Sequence, residues 1–251
     1  MKTSVTAQLS QQLRTLKLSG MLEHYDARVM EAANNDLSHT EFLSMLLTDE
    51  IEERTNRKMA RLLKRAALGS EKTIESFDFH FNPSVNAKVI KSFATCRFVE
   101  RGDSIFFLGP TGTGKTHLAK ALAHQACRFM FSVSFYNFHQ LFSEMATADL
   151  QNRLPTMMKR LLGVDLLCID DFGFKAIDQQ SAERLYAIVD GRFGQKSIII
   201  TSNRSITDWG SLFSDPVMGN AIMDRLAHTA HHVVIKGQSY RKNLKPKDEN
   251  Q

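Results

Sequence analysis

The chain has 251 residues, 43% of them hydrophobic, which is enough for one large domain or a domain with a smaller companion and too apolar for global disorder. Its net charge of +5 permits a polyanionic partner without demanding one. No apolar run approaches the roughly 18 residues of a membrane span, the N-terminus lacks a signal-peptide core, and Cys96, Cys127 and Cys168 are too scattered for a zinc site, so a reduced, cytoplasmic protein is expected.

Residues 1–79 hold eleven Lys/Arg and twelve Asp/Glu, yet the charges segregate. Asp49, Glu50, Glu52 and Glu53 come first, and Arg54, Arg57, Lys58, Arg61, Lys64 and Arg65 follow without an acid among them. Those six positions fall at i, i+3, i+4, i+7, i+10 and i+11, one face of a helix expected from about His39 to Leu68. Met59, Leu62, Leu63 and Ala66 make an adjoining apolar stripe, and Glu50–Arg54 and Glu53–Arg57 are spaced to pair. The basic ridge either meets DNA phosphates or is a solvated face. A helical domain over 1–68 is expected. Residues 69–83 read as a linker, in which alternating Phe77, Phe79 and Phe81 could dock as an extended strand. A helix from Pro83 to Thr95, with Val85, Val89, Ile90 and Phe93 inward, then leads into a second domain, 84–251.

Ser104 to Leu108 is a short apolar run, as in a buried strand. Gly109-Pro110-Thr111-Gly112-Thr113-Gly114-Lys115-Thr116 follows and fits G-x-x-x-x-G-K-[ST]. The glycines free the backbone to turn successive N–H groups inward around a phosphate, and the helix expected over His117–Phe131 points its N-terminus at the same anion. Lys115 adds a charge toward the β- and γ-phosphates, and the Thr116 hydroxyl can sit on Mg²⁺. ATP and Mg²⁺ are the implied cofactors, with residues 109–117 as the cradle, His117 included.

Residues 131–145 give a strand and then a helix. Leu166 to Ile169 is a continuous apolar run suited to a parallel strand covered on both faces, and it ends in Asp170-Asp171. Asp170 would stand at the strand's carboxyl end as a second metal ligand, with Asp171 beside it to orient or deprotonate water; an acidic turn is the plain alternative. Asp178–Arg192 reads as another helix, and residues 196–203 as a third parallel strand tipped by Asn203. The Asn203 amide could position water against the γ-phosphate, while Ser202, Asn203 or Ser205 could cap a following helix. A strand is expected over His232–Ile235. His228, His231 and His232 lack a ligand set around them and read as structural or solvated. A tail with Lys236, Arg241, Lys242, Lys245 and Lys247 could face DNA or keep a frayed end soluble.

Taken together, Gly109–Thr116, "IDDFG", "ITSN", "LKLSGMLEHYD", "MDRLAH" and "KGQSYR" resemble AAA+ ATPases of the DnaC/DnaA-like branch, and within it the IstB family of insertion-sequence transposition helpers. The likeness runs from about residue 9 to about residue 241. It implies an α/β P-loop NTPase core with a parallel sheet and a small all-helical N-terminal domain; a C-terminal lid, which typical AAA+ proteins add, is not expected, because the 26 residues after Arg225 are too few for several helices. By the same resemblance Lys115 and Thr116 are Walker A residues, Asp170 and Asp171 Walker B, and Asn203 sensor 1. Arg225 becomes the arginine presented to a neighbour's nucleotide, unless it makes an ordinary salt bridge, for instance with Asp224; Arg241 could stand in for the missing lid arginine. Most AAA+ proteins carry Glu where this chain has Asp171; the shorter side chain implies slow hydrolysis, with ATP serving mainly to switch assembly. The implied partners are duplex DNA, a cognate transposase and further copies of the chain. A DnaC-like helicase loader is the nearest alternative. A small-molecule kinase lacks an acceptor segment after Asn203, and a GTPase lacks the N/T-K-x-D motif.

Overall fold

The structure, a computed structural model, describes residues 2–69, 72–228 and 230–240. The chain divides into two compact units, Met1–Arg61 and Leu62–Gln251. Arg241 and the lysines of the tail beyond it lie outside the described residues.

The first unit contains α1 (Lys2–Thr15), α2 (Ser19–Asn34) and most of α3 (His39–Ala66). Its apolar centre is small: Leu13, Met21 and Leu46 are buried, with Leu9, Leu22, Tyr25 and Phe42 around them. The rest of the joint is polar. A Cβ on Gly20 would lie 2.7 Å from the Asp49 carbonyl oxygen, so only glycine lets α2 approach α3 this closely. There Glu50, itself buried, accepts hydrogen bonds from the Gly20 and Met21 N–H groups at 2.7 and 3.3 Å. A carboxylate thus satisfies donors left open at the start of α2. Beside it Arg28 grips Asp49 through two bonds of 2.9 and 2.8 Å. Ser38 and Glu41 form a reciprocal cap at the start of α3. The expected pairs Glu50–Arg54 and Glu53–Arg57 are present at 2.6 and 2.9 Å.

The division between units falls inside α3, because Leu62, Leu63, Ala66 and Leu68 pack into the apolar layer of the second unit. Residues 73–82 form turns rather than the extended strand that alternating phenylalanines suggested. Asp78 accepts the N–H groups of His80 and Phe81, and Thr73 and Ser76 bond each other, so local side-chain bonds out-compete a strand. The helix expected from Pro83 starts only at α4 (Ala87–Phe93), because Asn86 caps it by accepting from Lys88 N–H at 2.9 Å. A short α5 (Arg97–Arg101) follows.

The core is a five-stranded, all-parallel sheet: β1 (Ser104–Leu108), β2 (Val133–Asn137), β3 (Leu166–Phe172), β4 (Ser197–Ser202) and β5 (Ala230–Val234), in the order β2-β3-β4-β1-β5. Between them run α6 (Lys115–Arg128), α7 (Phe138–Leu150), α8 (Leu154–Gly163), α9 (Gln179–Arg192) and α10 (Pro216–His228). The period of two sorts the strands cleanly. Ile105, Phe107, Cys168 and Ile199 face one apolar layer with α6, and Phe106, Leu167, Ile169, Ile198 and Ile200 face the other with α7 to α10. Arg192, fully buried on α9, binds the carbonyls of Leu161, Val164, Asp165 and Ser197 and so ties the end of α8 to the start of β4. Burial pulls its pKa down to about 10, still charged at neutral pH.

β5 begins two residues before the expected strand, and among the described residues no helix follows α10. All three cysteines are buried and unpaired. Burial pushes the thiol of Cys96 up to about 12 and that of Cys127 up to about 11. No helix among the described residues is long and apolar enough to cross a membrane.

Candidate active site

The glycine loop leaves β1 at the carboxyl edge of the sheet, where ligands of open α/β folds bind. Its glycines are obligatory for different reasons. A Cβ on Gly109 would sit 2.0 Å from the Ile235 carbonyl oxygen, and Gly114 has φ +96°, the left-handed start from which α6 departs. The helix therefore begins two residues earlier than expected and takes Lys115 and Thr116 into its first turn. Lys115 is buried, and its Nζ donates to the Pro110 carbonyl at 2.8 Å. The backbone N–H groups of Gly112, Thr113, Gly114 and Thr116 have no protein acceptor among the described residues. Donors so placed at a helix start fit a phosphate.

Asp170 sits at the end of β3, 7% exposed. One of its oxygens accepts from Thr116 Oγ1 at 2.9 Å and from Thr201 Oγ1 at 2.5 Å. Burial raises its pKa, the hydrogen bond from Thr201 works against that, and the Asp171 charge adds to the rise. The neighbouring hydroxyl and carboxylate oxygens of Thr116 and Asp170 are the hard ligands that Mg²⁺ takes. These groups fit a magnesium-bound triphosphate.

Asp171 is turned away from its neighbour. Its φ is +57°, the β3–β4 register slips between Ile169 and Phe172, and its N–H donates to Thr201 Oγ1 at 3.0 Å. The result is an exposed carboxylate beside a buried one, the side chains of successive residues sent to different surroundings by a bulge. Asn137 Nδ2, at the tip of β2, donates to the Asp171 carboxylate at 3.1 Å.

Asn203 follows the last residue of β4 and is exposed, with no hydrogen bond among the described residues. Ser205, not Asn203, makes the cap, reciprocally with Asp208. The His117 ring bonds the Thr73 carbonyl at 2.9 Å and Ser76 Oγ at 3.1 Å, so that side chain belongs to the turns before α4. Arg225 pairs with Asp190 at 2.7 Å and lies 4.8 Å from the Tyr186 ring centre; its acid is on α9 and is not the adjacent Asp224. Among the described residues no cluster of His, Cys, Asp or Glu could hold a metal, and His232 instead stacks on Phe106. The six cations of the ridge are all exposed; Arg54 and Arg57 are ion-paired, while Lys64 and Arg65 line cavities of the second unit.

Sequence reading missed Thr201 and Asn137. Both stand at strand tips, and only the strand order brings them to the acids: β4 lies between β1 and β3, and β2 beside β3. Their signal was the polar residue ending an apolar run.

The model for the family described as IstB-like ATP binding protein matches residues 11–248. A protein of Bacillus thuringiensis subsp. berliner, named as a putative ATP-binding protein of insertion sequence IS232, is 38% identical over 93% of this chain and 94% of its own length. Among solved structures, the DnaC helicase loader superposes with a TM-score of 0.53 at 24% identity, over 60% of this chain and 88% of that one. The replication initiator DnaA bound to AMPPCP and single-stranded DNA gives 0.59 at 22% identity, over 68% of this chain and 52% of that one. These two likenesses carry the fold alone, an α/β domain with a parallel sheet and a phosphate-type loop after its first strand.

Proposed function

The chain belongs to the IstB-like ATP-binding protein family, and on that premise we propose that it is a slow ATPase whose nucleotide switches its assembly on duplex DNA in support of an insertion-sequence transposase. The observation that carries this reading is the chain of contacts Thr116–Asp170–Thr201, which joins the phosphate loop to the acids across one intervening strand.

In this reading the free N–H groups of the loop and Lys115 hold the β- and γ-phosphates. Thr116 and Asp170 hold Mg²⁺, which when bound neutralises charge on the transferred phosphoryl group. Asp171 orients the attacking water, with Asn137 fixing its carboxylate and Asn203 reaching the same water from the tip of β4. A carboxylate one methylene shorter than glutamate reaches less far, which accounts for a slow cycle. Arg225 leaves Asp190 and closes on the nucleotide of an adjacent copy; exchanging one anion for another keeps its charge paired throughout. The exposed basic face of α3, from Arg54 to Arg65, supplies phosphate contacts to the duplex.

Electron microscopy of the protein with ATP and duplex DNA tests the reading. Ordered multimers on duplex are expected with ATP and not without it, and Lys115→Ala should abolish them. Asp171→Asn should hold ATP and keep them. Arg225→Ala should bind nucleotide but lose hydrolysis and multimers; unchanged hydrolysis would exclude Arg225 from closing on a neighbour's nucleotide. Association with a replicative helicase, without affinity for duplex, would replace the proposal with a loader.

A further inference from the structure

A cavity of the second unit, about 740 Å³, lies along the outer edge of β2 and meets the nucleotide reading only at the end where Asn137 and Asp170 line it. β2 is the last strand of the sheet. The Leu166 N–H donates to the Ser132 carbonyl, and Val133 stands opposite Leu166. In a parallel ladder that alternation aims the N–H and C=O groups of Ser134 and Tyr136 at β3 and those of Val133 and Phe135 outward. The outward groups bond nothing among the described residues. An unpaired edge of this kind is a template for another strand.

The walls add chemistry to the template. Leu62, Phe135 and Val164 are apolar, and Arg65, Lys120 and Arg160 are cations. None of the three has a carboxylate within ion-pair distance among the described residues. Lys120 lies over the Phe135 ring at 5.2 Å, and Arg160 bonds the Tyr136 hydroxyl, so two of the heads are held at the cavity by the strand itself. The cavity's own acids, Glu144 and Asp170, have hydrogen-bond partners in Gln140 and in Thr116 and Thr201.

We propose that this cavity binds an extended, acidic segment of another polypeptide, which adds a sixth parallel or antiparallel strand to β2 and sets its carboxylates on Arg65, Lys120 and Arg160. A strand matching the five residues of β2 would span about 17 Å. Main-chain bonds to Val133 and Phe135 supply affinity, and the cations select acidic side chains at alternate positions. Nucleic acid suits the site less well. A phosphodiester chain has no use for a row of paired donors and acceptors at strand spacing, nor for the apolar wall.

The test uses the full-length protein and a fluorescein-labelled ten-residue peptide of alternating glutamate and valine. It uses no ATPase assay, so its failure is distinct from failure of the nucleotide reading. Saturable binding is expected, with slowed hydrogen exchange at the Val133 and Phe135 amides. Arg160→Ala should weaken it about tenfold while leaving the binding of a fluorescent ATP analogue unchanged. The same peptide with alternate backbone amides N-methylated keeps its charge and loses strand pairing, and should not bind. Equal binding of the methylated peptide would reduce the site to a charge trap and overturn the proposal. So would failure of the acidic peptide to bind, or preferential binding of a twelve-nucleotide oligo(dT) that Arg160→Ala weakens.

Discussion

The two units of this chain are held together by different physics. The helical unit has three buried apolar side chains at its centre and leans on buried carboxylates, Asp49 and Glu50, matched to Arg28, Arg54 and a helix start. The α/β unit has two broad apolar layers, one on each side of a parallel sheet, and places its few buried charges at the loop, at Asp170 and at one arginine staple. A small unit cannot bury enough surface to be indifferent to its ion pairs, whereas a large one can reserve charge for chemistry.

Substitutions sharpen that contrast. The largest effect should come from Lys115→Ala, which removes the buried cation of the loop and should weaken ATP binding by a hundredfold or more, about 2.7 kcal/mol, read by titration with a fluorescent analogue. Next, Arg192→Met orphans four carbonyls at the α8–β4 junction and should cost about 2 kcal/mol of stability without touching the site, a fall of roughly 4–8 °C in the melting of the α/β unit. Nucleotide binding at low temperature should survive it.

Thr201→Val keeps the shape and removes the hydroxyl that both acids use. Hydrolysis should fall roughly tenfold to a hundredfold and the Mg²⁺ requirement should rise, with Thr201→Ser restoring both. A purely structural threonine would instead lower stability and leave the Mg²⁺ dependence alone.

The smallest effect tests the helical unit. The two bonds from Arg28 hold the Asp49 carboxyl below the ordinary carboxylate range, so the folded state takes up its proton less readily than the unfolded one. That stabilisation is present above about pH 4 and is lost as pH falls through the depressed folded value. Acid titration followed by exchange of the α2 amides should show this unit loosening first, and Asp49→Asn should remove that part of the acid response. If both units loosen together, the helical unit does not depend on its ion pairs more than the α/β unit does.

What the sequence made legible was local. The apolar run 104–108, the glycine spacing, Lys115, Thr116 and the acid pair each carry their pattern within a few residues, and the strand-to-helix context on both sides of the loop gave the fold. What it concealed was register. Thr201 reaches Asp170 only because β4 sits between β1 and β3, and Asn137 reaches Asp171 only because β2 borders β3. Asp190 is invisible as the partner of Arg225 until α9 and α10 pack side by side. The phenylalanines at 77, 79 and 81 misled because turns can also present alternate rings: Phe77 and Phe79 face the core, Phe81 meets Tyr240, and Asp78 decided for turns. α8 was missed although its signal was present, with Leu154, Met157, Met158, Leu161 and Leu162 at i, i+3, i+4, i+7 and i+8.

The central claim is that a triphosphate on the loop decides whether copies of this chain gather on a duplex. Its most direct test is the mass distribution of the protein mixed with duplex DNA, with a non-hydrolysable ATP analogue and without it. Multimers on DNA only when the analogue is present, and none for Lys115→Ala, are the predicted result. A single-chain species that ignores both nucleotide and duplex would contradict the account.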